Sequence, residues 1–75
     1  MNISKIKITV CVDASKSNIT LYKPQTYTPE SMGMPVDANM LLASVVNAGG
    51  WIILSVTKFV RLNDQGEVVV MELMQ

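Results

Sequence analysis

The sequence predicts a small α+β domain in which a mainly antiparallel four-stranded sheet carries one helix on one face, in the order β-β-α-β-β. Three patterns support this class: a strictly alternating segment near the N-terminus, a helical stripe in the middle that stops at two glycines, and two apolar runs joined by a turn at the C-terminus. Because 75 residues leave room for only one core, we expect a single domain over residues 1–75.

The first predicted strand covers residues 5–12. Ile6, Ile8 and Val10 alternate there with lysine, threonine and cysteine, which is typical of a half-buried strand. A polar loop follows, and residues 19–22 resume the alternation. These two segments predict a first hairpin.

Residues 23–36 are predicted to form a long crossover loop. The segment contains three prolines and one glycine and has no periodicity, which excludes a regular helix and disfavours a central strand. Two roles stay open for it. It is either a tether pinned to the core by Tyr27, Met32 and Met34, or a recognition loop.

The predicted helix covers residues 38–48. Asp37 is a candidate N-cap because its carboxylate can accept hydrogen bonds from the amides of the first turn. An apolar stripe at helical spacing comprises Ala38, Leu41, Leu42, Val45 and Ala48. Gly49 can adopt the left-handed conformation that ends a helix, and Gly50 allows a tight reversal before Trp51.

Residues 51–62 and 67–74 are predicted to form the last two strands. The tetrapeptide from Asn63 to Gly66 between them is a turn signal in which the glycine supplies a positive φ. The register that follows places opposite charges together. Its expected facing pairs are Leu62 with Val68, Val60 with Val70, Lys58 with Glu72, Phe59 with Met71 and Thr57 with Leu73.

Both sides of this C-terminal hairpin are substantially apolar, whereas one short helix can cover only one side of a sheet. We therefore expect a second chain to cover the other side, either a second copy in a dimer, as the first choice of homo-oligomer, or a foreign protein. We expect the helix to leave uncovered the side that carries the predicted interface residues, which are Ile53, Phe59, Val69, Met71 and Leu73.

The segment from Leu41 to Val56, which contains Gly49, Gly50 and Trp51, resembles a group of small uncharacterised bacterial and phage domains. In that group a leucine-rich helix ends in a Gly-Trp pair and leads into a strand, a turn and a final strand. The resemblance covers the C-terminal half, and this chain has Ile52 where the group usually carries an acidic residue. It implies a sheet with one packed helix and a bacterial or phage origin, and it implies no activity.

The inventory of reactive side chains argues against an enzyme. The chain has no histidine, and Cys11 is its single cysteine, so the usual nucleophile activation schemes and ordinary zinc sites are missing. We expect no metal and no cofactor. Balanced and scattered charges argue against nucleic acid, and the lack of any run of about 20 apolar residues argues against a membrane span. The expected localisation is cytoplasmic.

Two functions remain open from the sequence. The first is a non-enzymatic protein-binding module that self-associates and acts as an accessory or inhibitory protein of bacterial or phage origin. The alternative is a binding protein for a nucleotide or a metabolite, with a pocket at a protomer interface. The residues expected to line such a pocket are Tyr22, Lys23, Tyr27, Trp51 and Arg61.

Overall fold

A computed structural model describes residues 1–11 and 24–75 of the chain. This part contains one α-helix and a five-stranded antiparallel sheet, which confirms the α+β class with one strand more than predicted. The elements are β1 (Lys5–Cys11), β2 (Gln25–Tyr27), a short 3-10 helix (Glu30–Met32), α1 (Ala38–Ala48), β3 (Ile52–Ser55), β4 (Lys58–Leu62) and β5 (Val68–Met74). Their order across the sheet is β2-β1-β5-β4-β3. The predicted strand at 19–22 lies outside the described residues.

The single long strand predicted over 51–62 is wrong, because the chain reverses direction at Val56 and Thr57 to give β3 and β4. The Ser55 hydroxyl accepts a hydrogen bond from the Thr57 amide at 3.2 Å. Neither turn residue has a positive φ, and the pairing register shifts between Ile53 and Ser55. A serine turn of this kind is a weaker sequence signal than glycine, proline or asparagine.

The described part of the predicted crossover loop contains β2, which pairs with the edge of β1 through Ile6 opposite Tyr27. Met34 packs against the core, as expected of a pinning residue. Tyr27 and Met32 are exposed instead, and the buried residue of this segment is Pro29. The segment is therefore fixed by strand pairing and by Pro29 and Met34.

The helix has the predicted bounds and the predicted N-cap, since the Asp37 carboxylate accepts a hydrogen bond from the Met40 amide at 3.0 Å. The N-terminus also holds this end, because the Ala38 amide donates to the Met1 carbonyl at 3.0 Å. At the other end Gly49 has φ 78° and ψ 168°. Its φ is positive as expected, but its ψ lies outside the left-handed helical region.

The core lies between α1 and one side of the sheet. Leu41 and Val45 of the helix pack against side chains from β1, β4 and β5, together with Ile3 from the N-terminal segment. The cluster consists of Ile3, Ile6, Leu41, Val45, Phe59, Met71 and Leu73. Alternate residues of β5 are buried, so this strand gives one set of side chains to the core and the other set to the opposite side.

The register of the C-terminal hairpin is confirmed. β4 and β5 pair Lys58 with Glu72, Phe59 with Met71, Val60 with Val70 and Leu62 with Val68. The connecting turn places Gly66 at φ 76°, and the Asn63 side-chain oxygen accepts from the amides of Gln65 and Glu67, at 2.9 Å each. A short polar turn thus sets which side chains share each side of the sheet.

The described residues contain no helix that is both long and apolar enough to cross a membrane.

The Asp37 cap predicts that Asp37→Ala lowers the free energy of unfolding by about 1 kcal/mol, because the first-turn amide of Met40 loses its acceptor. Asn39→Ala is the matched control on the exposed side of the same helix turn, and it should leave stability unchanged or slightly higher. Urea unfolding followed by circular dichroism measures both. Equal midpoints for Asp37→Ala and the native chain would contradict the cap.

Candidate interaction surface

The two sides of the sheet have the opposite roles to those predicted. The helix covers the side that carries Phe59, Met71 and Leu73, which have 0%, 3% and 7% of their surfaces exposed. Val69, on the same side, is also buried. These four predicted interface residues therefore belong to the protomer's interior. Ile53, the fifth, is exposed on the strand β3 at the end of the sheet.

Charge decides which side the helix covers. Glu72 of β5 lies between Lys7 of β1 and Lys58 of β4 in the sheet register, so all three side chains share one side. Burying three charged groups under a helix would cost more than burying the apolar residues of the opposite side. The side with the charges therefore faces away from α1, and the core lies on the other side, where Arg61 is the one charged residue of the described strands and is exposed.

We call the side of the sheet opposite α1 the open face. Its members follow from the register and are Thr26 of β2, Lys5, Lys7, Thr9 and Cys11 of β1, Val68, Val70, Glu72 and Met74 of β5, Lys58, Val60 and Leu62 of β4, and Ile52 and Ser55 of β3. Leu62 and Ile52 have 68% and 64% of their surfaces exposed. Val60 and Val70 lie half-buried between their strand neighbours.

The open face has an apolar half and a charged row. Val70 lies between Thr9 and Val60, and Ile52 continues that row to the end of the sheet. The next row contains Cys11, Val68 and Leu62. On the other side of the Val60–Val70 row lies the charged row of Lys7, Glu72 and Lys58. Contiguous exposed apolar area of this kind typically marks an interaction site.

The edge strand β3 is unusual because its exposed residues are mostly apolar. Ile52, Ile53 and Leu54 are exposed, and no charged residue occurs between Trp51 and Thr57. Proteins commonly protect such strands with lysine, proline or extreme shortness. At the opposite end β2 has three residues and follows Pro24. The apolar part of the open face thus continues into an unprotected strand.

The predicted ligand-lining residues do not form one cluster. The Arg61 guanidinium lies 5.3 Å from the centroid of the Trp51 ring, and Trp51 packs against the core, so these two residues are together. Tyr27 lies on β2, at the other end of the sheet from β3 and β4. Its hydroxyl donates to the Gln25 side chain. Tyr22 and Lys23 lie outside the described residues.

Few reactive groups lie close together in the described ranges. Cys11 is a free, half-buried thiol next to Val68, and no group of three or more Cys, Asp or Glu side chains among these residues could hold a metal ion. The open face offers apolar contact and a row of alternating charges. Apolar contact and complementary charges are the interactions by which proteins bind other macromolecules.

Comparisons with family models, with curated proteins and with solved structures found no match for this chain.

The assignment of sides predicts different effects for two neighbouring valines. Val69→Ala should lower the free energy of unfolding by about 2 kcal/mol, because two buried methyl groups are lost from the covered side of the sheet. Val68→Ala, a matched change at the adjacent and exposed position, should cost less than about 1 kcal/mol. Chemical denaturation at low protein concentration compares them. A larger loss for Val68→Ala would show that the open face is the buried one.

Proposed function

We propose that the protein is a small, non-enzymatic protein-binding module that self-associates through the open face of its sheet. The observation that supports it most is the exposure of Ile52, Leu62 and Val68 in one band beside Val60 and Val70. Burying a fully exposed valine, leucine or isoleucine side chain contributes about 1.5–3 kcal/mol. Removal of this band from water is therefore a strong driving force for association.

The shape of the surface favours a macromolecule over a small ligand. Small-molecule sites are concave and enclose most of the ligand, whereas the open face is one side of a sheet whose strands lie side by side. A partner with an apolar surface of its own can cover several rows at once. Its charges would pair with the row of Lys7, Glu72 and Lys58.

The charge pattern also favours protein over nucleic acid. The lysines of the open face alternate with Glu72 in the central row, and the whole chain has zero formal net charge. Phosphate backbones are bound by clusters of basic groups, whereas in this row Glu72 separates the two lysines. Protein interfaces, in contrast, combine an apolar centre with a rim of mixed charge.

The proposed role in the cell is that of an accessory or inhibitory protein of bacterial or phage origin. Its support is the resemblance of the segment from Leu41 to Val56, together with the lack of histidine in the chain. Such a protein acts by occupying a partner. An apolar face beside a charged row suits that action, because it needs binding area and no reactive group.

Substitution of Leu62 tests the proposal. Leu62→Lys should weaken self-association by about tenfold or more, because it removes apolar contact and puts an unpaired charge into the interface. Val46→Lys is the matched control, since Val46 is 57% exposed on the helix, away from the open face. It should leave the association constant unchanged.

Sedimentation equilibrium over a wide range of concentration measures both variants and the native chain. A native chain that remains monomeric into the high micromolar range, and that binds no fluorescent probe of apolar surface, would contradict the proposed function. So would a loss of association in Val46→Lys that equals the loss in Leu62→Lys.

A further inference from the structure

We infer that two copies of the chain stack their open faces about a two-fold axis that runs parallel to the strands between β4 and β5, so that Lys58 of each copy faces Glu72 of the other. This inference rests on the proposed function and specifies the partner and its orientation. The occupant of the open face is a second copy, and the product is a two-layered sandwich with both helices outside.

The charged row carries the inference. Across the sheet it reads Lys7, Glu72, Lys58, with Glu72 on β5 and Lys58 on the adjacent β4. A two-fold contact is self-complementary, so if one residue faces a second, the second also faces the first. An axis between β4 and β5 places each lysine opposite a glutamate twice. The row is therefore complementary to its own copy in this orientation.

An axis between β1 and β5 would pair Lys7 with Glu72 but leave Ile52 of β3 facing no strand, and several other two-fold orientations place like charges or unlike polarities together. A two-fold axis along β5 would place Glu72 of one copy opposite Glu72 of the other. An axis along the charged row would place Glu72 opposite Glu72 and Lys58 opposite Lys58. An axis perpendicular to the strands through Val60 and Val70 would put Lys58 and Glu72 against the partner's copies of the Leu62 and Val68 row. Like-charge contacts and unpaired charges on apolar surface are both unfavourable.

The same axis aligns the apolar rows. Val60 then faces Val70, Leu62 faces Val68, and Ile52 of β3 faces Thr9 of β1, because β3 and β1 lie at equal steps from the axis. Every exposed apolar side chain of the band thus gains an uncharged neighbour. Because facing sheets lie about 10 Å apart, side chains of this size can interdigitate across the gap.

The available area fits a reversible dimer. Four strands spaced about 4.8 Å apart, each with side chains of one side repeating about every 6.8 Å, give a face of roughly 400 Å² per copy. Side-chain relief increases the accessible area beyond this projection. The total lies near the approximate 1,000 Å² at which specific interfaces begin, so we expect dissociation to be measurable at accessible concentrations.

A mixing experiment with two charge-reversal variants tests this arrangement. Lys58→Glu alone and Glu72→Lys alone should each weaken the homodimer by about tenfold or more, because both facing pairs become like-charged. An equimolar mixture of the two variants should recover association to within a few-fold of the native chain. In the heterodimer, the new carboxylate at position 58 faces the new amine at position 72, and the native Glu72 faces the native Lys58.

The recovery separates contacts between chains from contacts within a chain. Lys58 and Glu72 are also neighbours on adjacent strands of one protomer, and in each single variant that internal pair stays like-charged after mixing. Any recovery must therefore come from charges on different copies, and the control variant separates the facing pairs from attraction between opposite net charges. A mass tag on one of the two variants gives heterodimer and homodimers different masses, so native mass spectrometry can measure the amount of heterodimer.

Glu30→Lys is the matched control, because it makes the same change of net charge as Glu72→Lys at an exposed position outside the sheet. It should leave the homodimer intact, and its mixture with Lys58→Glu should recover less than the mixture with Glu72→Lys. If circular dichroism shows that Glu72→Lys does not fold, Glu72→Gln takes its place. With that variant one facing pair stays opposite in charge and the other sets the new carboxylate at position 58 opposite a neutral amide, so partial recovery is expected.

Two outcomes contradict the inferred orientation, and they differ in whether the proposed self-association still holds. A native dimer that either tolerates Lys58→Glu or shows no recovery on mixing contradicts the orientation, and the proposed self-association stands. A native chain that is monomeric at all concentrations contradicts both the orientation and the proposed self-association.

Discussion

The constraint on which the structure depends is that a single helix of 11 residues must cover a sheet that is apolar on both sides. The helix buries Leu41 and Val45 against Phe59, which is itself fully enclosed, and that contact fixes one side of the sheet as the interior. The other side keeps Ile52 and Leu62 in contact with solvent. Because the helix covers only one of the two apolar sides, the other side stays exposed to solvent. The proposed association follows from that exposed apolar side.

Much of the fold could be predicted from residues whose chemistry acts locally. Asp37 caps the helix because a carboxylate at that position meets free amides, and Gly66 enters the last turn because it alone tolerates the positive φ there. The hairpin register followed from the turn length and from Lys58 opposite Glu72. The reversal at Val56 and Thr57 was missed because it relies on a serine side chain and an irregular register in place of a glycine.

The prediction of which side of the sheet the helix covers is wrong, because one of the charges that decide it comes from a strand distant in the sequence. Apolar residues are nearly balanced between the two sides of the C-terminal hairpin, so periodicity alone does not decide. Lys58 and Glu72 share one side, and pairing of β1 with β5 adds Lys7 to it. Three charges on one side settle the choice. What the sequence could not provide was that β1 and β5 are neighbours, because that pairing joins the two ends of the chain.

The solvent exposure of single methyl groups at different protein concentrations tests most directly whether a second copy covers the open face. A soluble paramagnetic probe and methyl NMR spectra report it for Leu62, Val70 and the buried Val69. We predict that Leu62 and Val70 are reached by the probe at low concentration and protected at high concentration, while Val69 is protected throughout. Methyl groups of Leu62 and Val70 that are shielded at every dilution would show that the protomer covers its own open face. Methyl groups accessible at every concentration would show that no second copy binds there.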